Sequence, residues 1–249
     1  MKPFILAAAA LVALTAAANA QAVRLGTEGA YAPWNFLDDS GVVAGFEIDL
    51  GNDLCARAGL ECTWVVNEWD TMIPNLQAGN YDAIMAGMSI TDERKQAIDF
   101  SDNYFPPDPS RYVMAASASF DFATLAGTRI GVQGATIQAA YVAENFAANN
   151  TIQSYETADQ AMAALQAGNL DIILADGGYL EPIVAGSSGA LKLDGPEVMI
   201  GGGVGIGLRK ADDDLENKLN AALAAAKQDG AVDALIAKWF DGKGPFFSE

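Results

Sequence analysis

Leu76–Gly87 reads LQAGNYDAIMAG and Leu165–Asp176 reads LQAGNLDIILAD, and the two stretches agree at 8 of 12 positions, 89 residues apart. Leu-Gln-Ala reads as a helix end and Gly-Asn as a turn. The apolar run after Asp82 or Asp171 reads as a strand covered on both faces. A glycine just past the last helical turn supplies the left-handed backbone that closes a helix. Any two α/β units share such a rhythm, but packing alone does not require Gln-Ala-Gly-Asn to recur. The repeat predicts two similar α/β lobes. In open parallel sheets ligands sit beyond the carboxyl ends of strands, which directs attention to Gly87 and Asp176.

Outward from these two stretches the rhythm continues. In the first half, strands are expected at Val23–Thr27, Cys62–Val66 and Asp82–Ala86, with helices from Gly45 to about Arg57 and from Trp69 to Gln77. Residues 28–35 read as irregular, and Thr91 as the N-cap of a short helix with acidic residues in its first turn. In the second half, strands are expected at Arg129–Gln133, Ile152–Tyr155 and Asp171–Ala175. Helices are expected from Thr136 to about Ala148 and from Thr157 to Gln166. The proline-rich run Phe105–Ser110 and the glycine-rich run Gly201–Gly205 read as two crossings between the lobes. The glycine run lacks the Gly-Lys-Ser/Thr of a phosphate loop. Helices at Leu215–Ala226 and Val232–Phe240 are expected to return to the first lobe. Two crossings make a hinged clamshell, with lobe one at 21–108 plus 203–249 and lobe two at 109–202.

Residues 1–20 combine a basic start, an apolar stretch and Ala18-Asn19-Ala20, which reads as a cleavable export signal cut after Ala20. The alternative, an anchoring helix, is short for a bilayer. Export implies the periplasm. The formal charge is −18, and removal of the leader, whose one charged residue is Lys2, makes it −19. Such a field argues against nucleic acid and anionic lipid as partners, and any anionic group must be held by a locally placed cation. Cys55 and Cys62, in an exported chain, are expected to form a structural disulfide. Histidine is absent, which excludes histidine triads and histidine-ligated zinc. No metal or cofactor is expected.

Four groups converge on strand ends. Ser89 and Arg94 follow the Gly87 strand end, and a guanidinium is the natural bidentate partner of a carboxylate; alternatively Arg94 pairs with Asp92 or Asp99. Thr136 and Ile137 open a helix at the equivalent place in lobe two, offering amides to the same anion. Asp176 ends the repeated strand and can hold an ammonium, or else cap the helix that follows. Glu28, Tyr31 and Trp69 add an acid and two aromatic rings on the rim, a receptacle for a long cationic side chain unless the rings are core. Together they match a zwitterion with one acid left over.

On GTEGAYAPWNF (26–36), GFEIDLGNDLC (45–55), WDTMIPNLQAGNYDAIMAGMSITDER (69–94), GVQGATIQ (131–138), LQAGNLDIILAD (165–176) and GVGIGLRK (203–210), the chain resembles the periplasmic amino-acid-binding proteins of ABC importers. These are solute-binding proteins of family 3, of the lysine/arginine/ornithine-, histidine- and glutamine-binding type. The resemblance spans essentially the whole chain after the leader and implies a type II periplasmic-binding fold, two α/β lobes joined by two hinge crossings. It implies that Arg94 clamps the ligand α-carboxylate with amides of Ser89 and the Thr136–Ile137 turn. Asp176 would hold the α-ammonium, assisted by backbone at Ala86 and Gly87 and by the Ser89 hydroxyl. Tyr31 and Trp69 would flank the side chain, and Glu28 would meet a distal cation. Ala86-Gly87 and Ile137 stand where several relatives carry hydroxyl residues.

The function so implied is capture of a cationic L-amino acid, arginine, lysine or ornithine, for a membrane permease, by a monomer that is not an enzyme. A neutral ligand would leave Glu28 as an unpaired buried charge, at a cost of roughly 3–5 kcal/mol. The alternative is a secreted cyclohexadienyl (prephenate or arogenate) dehydratase on the same fold.

Overall fold

The computed structural model describes residues 21–248; the expected export signal at 1–20 lies outside the described residues. In chain order, strand β1 (Gln21–Thr27) is followed by β2 (Ala30–Tyr31), β3 (Asn35–Leu37) and β4 (Val43–Ala44). Helix α1 (Phe46–Ala58), β5 (Leu60–Val66), a 3-10 turn at Trp69–Thr71, α2 (Met72–Gln77) and β6 (Ala83–Ile84) come next. The short α3 (Arg94–Ala97) and β7 (Asp99–Phe105) complete the first passage. The second lobe runs β8 (Ser110–Ala115), β9 (Arg129–Gln133), α4 (Ile137–Phe146), β10 (Thr151–Tyr155), α5 (Ala158–Gln166), β11 (Ile172–Asp176), α6 (Gly177–Gly186) and β12 (Leu191–Leu193). The chain then returns through β13 (Val204–Leu208) to α7 (Asp213–Gln228) and α8 (Ala231–Trp239).

Two five-stranded sheets result, in the orders β5-β1-β6-β13-β7 and β10-β9-β11-β8-β12. Within each, the first three strands are parallel and the fourth is antiparallel. The chain passes from the first sheet to the second between Phe105 and Ser110, and back between Leu193 and Val204. This is the type II periplasmic-binding fold, two α/β lobes joined by two crossings.

The repeated sequence forms the same unit twice. Gly79 and Gly168 both sit at positive φ, 78° and 74°, and their amides bond back to Leu76 and Leu165. The shared aspartate has a structural task in each copy. Asp82 accepts from the backbone and guanidinium of Arg24, and Asp171 does the same for Arg129. Each arginine also reaches the turn glycine's carbonyl, at 2.9 Å for Gly79 and 2.8 Å for Gly168. The aspartate thus ties the turn to the neighbouring parallel strand, which explains its recurrence.

Helix α1 supplies much of the first lobe's core. Phe46, Leu50 and Leu54, spaced at four residues, lie on one face with no exposed surface. Complete burial of such side chains contributes about 1.5–3 kcal/mol each. Gly51 on this helix admits Trp64, whose ring would lie 2.7 Å from an added Cβ. Helices α7 and α8 pack against α1, as their amphipathic patterns require. Cys55, inside α1, is bonded to Cys62 in β5.

Several elements differ from the sequence-based expectation. Residues 28–35 are not irregular throughout: β2, β3 and β4 form a small antiparallel sheet at the cleft rim. The 69–77 helix begins as a 3-10 turn. The ladder of β6 is only two residues long. Strands β7, β8 and β12 were not anticipated. The glycine-rich return becomes strand β13 from Val204 onward, because a Cβ at Gly205 would meet Ile90 at 2.9 Å and one at Gly207 would meet Ile98 at 3.1 Å. These glycines let the segment from Ile90 to Ile98 lie directly on the sheet.

Candidate functional site

The ends of β1, β6, β9 and β11 face one another across one cavity. From the first lobe its wall takes Glu28, Tyr31, Trp69, Ala86, Gly87, Ser89 and Arg94. From the second it takes Gln133, Thr136, Ile137, Gln138 and Asp176. All ten residues singled out from the sequence thus border a single cavity. Gln133 and Gln138 were missed, although both lie in the GVQGATIQ stretch; a glutamine side chain carries no charge or spacing signal that would mark it.

Arg94 is the first residue of α3, and its backbone N–H donates to the Thr91 hydroxyl at 3.1 Å. Its guanidinium donates to two backbone carbonyls, Ser89 at 2.9 Å and Ala135 of the other lobe at 3.4 Å. It lies 5.2 Å from the centre of the Trp69 ring, within cation–π range. No ion pair with Asp92, Asp99 or another carboxylate occurs among the described residues. Burial lowers its pKa to about 10, against the opposing charges of Asp176 and Glu93, so it remains a cation at neutral pH.

Across the cleft, Thr136 caps α4 by accepting from the Ala139 N–H at 3.0 Å. The preceding Ala135 adopts φ 54°. First-turn amides of a helix, here Ile137 and Gln138, have no intrahelical acceptor and can receive an anion. Asp176 does not cap α6 with its side chain. Instead it accepts from the Tyr31 hydroxyl at 2.8 Å and from Gln138 Nε2 at 2.7 Å. Burial raises its pKa and the Asp108 charge adds to this; the two hydrogen bonds and the Arg94 charge oppose it.

At the far end, Glu28 is buried and accepts from Gln133 Nε2 at 2.6 Å. Burial pushes its pKa up to about 7; the Gln133 bond opposes the shift, and the charges of Asp159 and Glu47 add to it. Tyr31 stacks on Tyr179 of the second lobe, with centroids 4.4 Å apart and planes 6° from parallel. One Tyr31 face is therefore occupied by protein. Gly87 sits at φ 64°, and its N–H is committed to Glu47 Oε1 at 2.7 Å. The loop therefore offers the cavity carbonyl oxygens and the Ser89 hydroxyl. Trp34 stands behind this cavity, buried among Phe46, Phe105 and Phe240.

The arrangement is a cation on one wall, a carboxylate on the other and a second acid at the end. Chemically it can grip a zwitterion. A two-lobed fold with such a cleft between the lobes is the architecture shared by solute-binding proteins. The chain belongs to the bacterial extracellular solute-binding proteins, family 3, whose family model matches residues 23–242. It is 38% identical over 261 residues to the lysine/arginine/ornithine-binding periplasmic protein of Escherichia coli (strain K12), covering 97% of this chain and 98% of that one. It is 37% identical over 233 residues to the L-arginine-binding protein of Pseudomonas aeruginosa, covering 88% and 87%. Among solved structures it resembles a periplasmic His/Glu/Gln/Arg/opine family-binding protein from Silicibacter pomeroyi in complex with lysine. That match has a TM-score of 0.83 and 50% identity, covering 90% of this chain and 100% of that one. These relatives are binding proteins, and they do not favour the dehydratase alternative.

Proposed function

We propose that the chain, exported by residues 1–20, is the periplasmic solute-binding component of an ABC importer. It captures a cationic L-amino acid (arginine, lysine or ornithine) and presents it to a membrane permease as a monomer. One lobe comprises residues 21–108 with 203–249, the other 109–202, and they close on the ligand. The observation that carries this reading is the charge layout of the cavity. Arg94 takes the α-carboxylate with the amides at Ile137 and Ser89, and Asp176 takes the α-ammonium. Glu28 meets the distal cation while Tyr31 and Trp69 flank the aliphatic stem. The names of the relatives from E. coli and P. aeruginosa, and the lysine complex, support the same ligand class.

The pKa of Glu28 changes the basis of selectivity. An acid that titrates at about 7 accepts a proton near neutral pH at little cost. A neutral ligand then meets a protonated Glu28, and the penalty of roughly 3–5 kcal/mol expected for a permanent buried charge does not apply. Cationic preference rests on the ion pair gained, and it grows with pH. Titration calorimetry against the twenty amino acids and ornithine tests the reading. Micromolar binding of at least one cationic amino acid, about −8 kcal/mol, is expected. Binding of none of them refutes it.

A further inference from the structure

Glu47 has no exposed surface and does not line the cavity, yet two of the loops that do are hung from it. Its carboxyl receives the Gly87 N–H on Oε1 at 2.7 Å and Asn35 Nδ2 on Oε2 at 2.7 Å. The Tyr104 hydroxyl donates to Oε1 as well. Asn35, itself fully buried, accepts the Gly29 N–H on Oδ1 at 2.7 Å. Gly29 adjoins Glu28 and precedes Tyr31 by two residues; Gly87 adjoins Ala86 and precedes Ser89 by two. One buried carboxyl on α1 therefore connects two of the first-lobe segments that supply the cavity wall, the Glu28–Tyr31 and Ala86–Ser89 loops.

The hydrogen-bond polarity of this chain is fixed at both ends. Backbone N–H groups only donate, so Asn35 must present its oxygen to Gly29 and hence its amide to Glu47. Both Glu47 oxygens must therefore accept. An isosteric amide at position 47 sets donor against donor at Asn35. Turning Asn35 over relieves that contact but leaves the buried Gly29 N–H facing another N–H. We infer that Glu47, acting through Asn35, is the positioning residue that holds the Glu28–Tyr31 and Ala86–Ser89 loops in mutual register, and so sets ligand affinity without touching ligand. The affinity part rests on the function proposed above.

The test exploits the polarity. E47Q reverses one hydrogen bond, and N35D restores complementarity, because a carboxylate at 35 accepts from both Gly29 and the new amide. Calorimetry with L-arginine and L-lysine on wild type, E47Q and N35D/E47Q should show about tenfold weaker binding in E47Q, the effect of one unsatisfied buried donor. Affinity should recover in the double variant. Amide hydrogen exchange of the ligand-free proteins should show Gly29 and Gly87 losing protection in E47Q, and Gly29 regaining it in the double variant. A merely structural glutamate would lower the melting temperature with neither the affinity change nor its rescue. Wild-type affinity in a folded E47Q, or no rescue in a folded double variant, overturns the inference.

If E47Q does not fold, Asn35→Ala, which cuts the Gly29 link and leaves Glu47 bonded to Gly87, takes its place; unchanged affinity there overturns the inference equally. If wild type binds neither amino acid, the function proposed above fails, while the exchange pattern at Gly29 and Gly87 still decides the positioning role.

Discussion

The Tyr31 hydroxyl donates to Asp176 Oδ2 at 2.8 Å, although 145 residues separate the two in sequence. The bond joins the lobes, as does the stacking of Tyr31 on Tyr179. It also gives the half-buried Asp176 carboxylate one of its two hydrogen-bond donors, the other being Gln138. A ligand ammonium would be received by a carboxylate already oriented from both lobes. Tyr31→Phe should weaken arginine binding by about tenfold to about a hundredfold, the worth of one hydrogen bond to a charged group. Asp176→Asn should weaken it further; calorimetry on both variants checks the order.

Arg94 is the cation of the cavity and forms no ion pair among the described residues. Its guanidinium is positioned by the Ser89 carbonyl and the Trp69 face. Arg94→Ala should reduce binding of every amino acid by more than about a hundredfold. Arg94→Lys should be intermediate, because an ammonium cannot make the bidentate contact. An Arg94→Ala protein that still binds arginine within a factor of a few would remove the carboxylate clamp from the account.

Glu28 should make binding depend on pH. Capture of a distal cation would fix it as carboxylate, so below its pKa of about 7 binding would have to expel a proton. From about pH 8 to about pH 5.5, arginine affinity should fall by about thirtyfold, with a much shallower slope in Glu28→Gln. Without ligand the sign is opposite. A carboxyl whose folded pKa is raised contributes stability below its unfolded value, and that stability is lost as pH rises through about 7. The melting temperature of Glu28→Gln relative to wild type should therefore climb between about pH 4.5 and about pH 8.

The Cys55–Cys62 bond staples α1 to β5 at a distance from the cavity. Replacing both cysteines with alanine should cost roughly 2–3 kcal/mol and lower the melting temperature by roughly 5–10 °C. Arginine affinity should be unchanged. A matching loss of affinity would mean that α1 moves when the staple is removed.

The fold was legible wherever one residue type suffices for a task. The repeat, its turn glycines and the strand-end charges lie where the sequence places them, and the ten candidate site residues border one cavity. Strand β7 was hidden because DFSDNYF does not alternate, and its pairing with β13 carries register shifts. The glycines of β13 read as a loop because their purpose, close approach of Ile90 and Ile98, depends on partners more than 100 residues away. Gln133 and Gln138 gain meaning only from Glu28 and Asp176 opposite them. Glu47 looked like one acid of an ordinary first helical turn, and only burial against Asn35, Gly87 and Tyr104 distinguishes it. Polar networks of this kind are relational, and a single sequence does not carry the relation.

A cavity with Arg94, Asp176 and Glu28 at its corners should bind an amino acid by its three charges. Arginine and citrulline differ by the distal charge at nearly equal shape, so calorimetry of both at about pH 8 tests it most directly. Micromolar binding of arginine and at least about tenfold weaker binding of citrulline are expected. Equal affinities, or no binding of arginine, would contradict it.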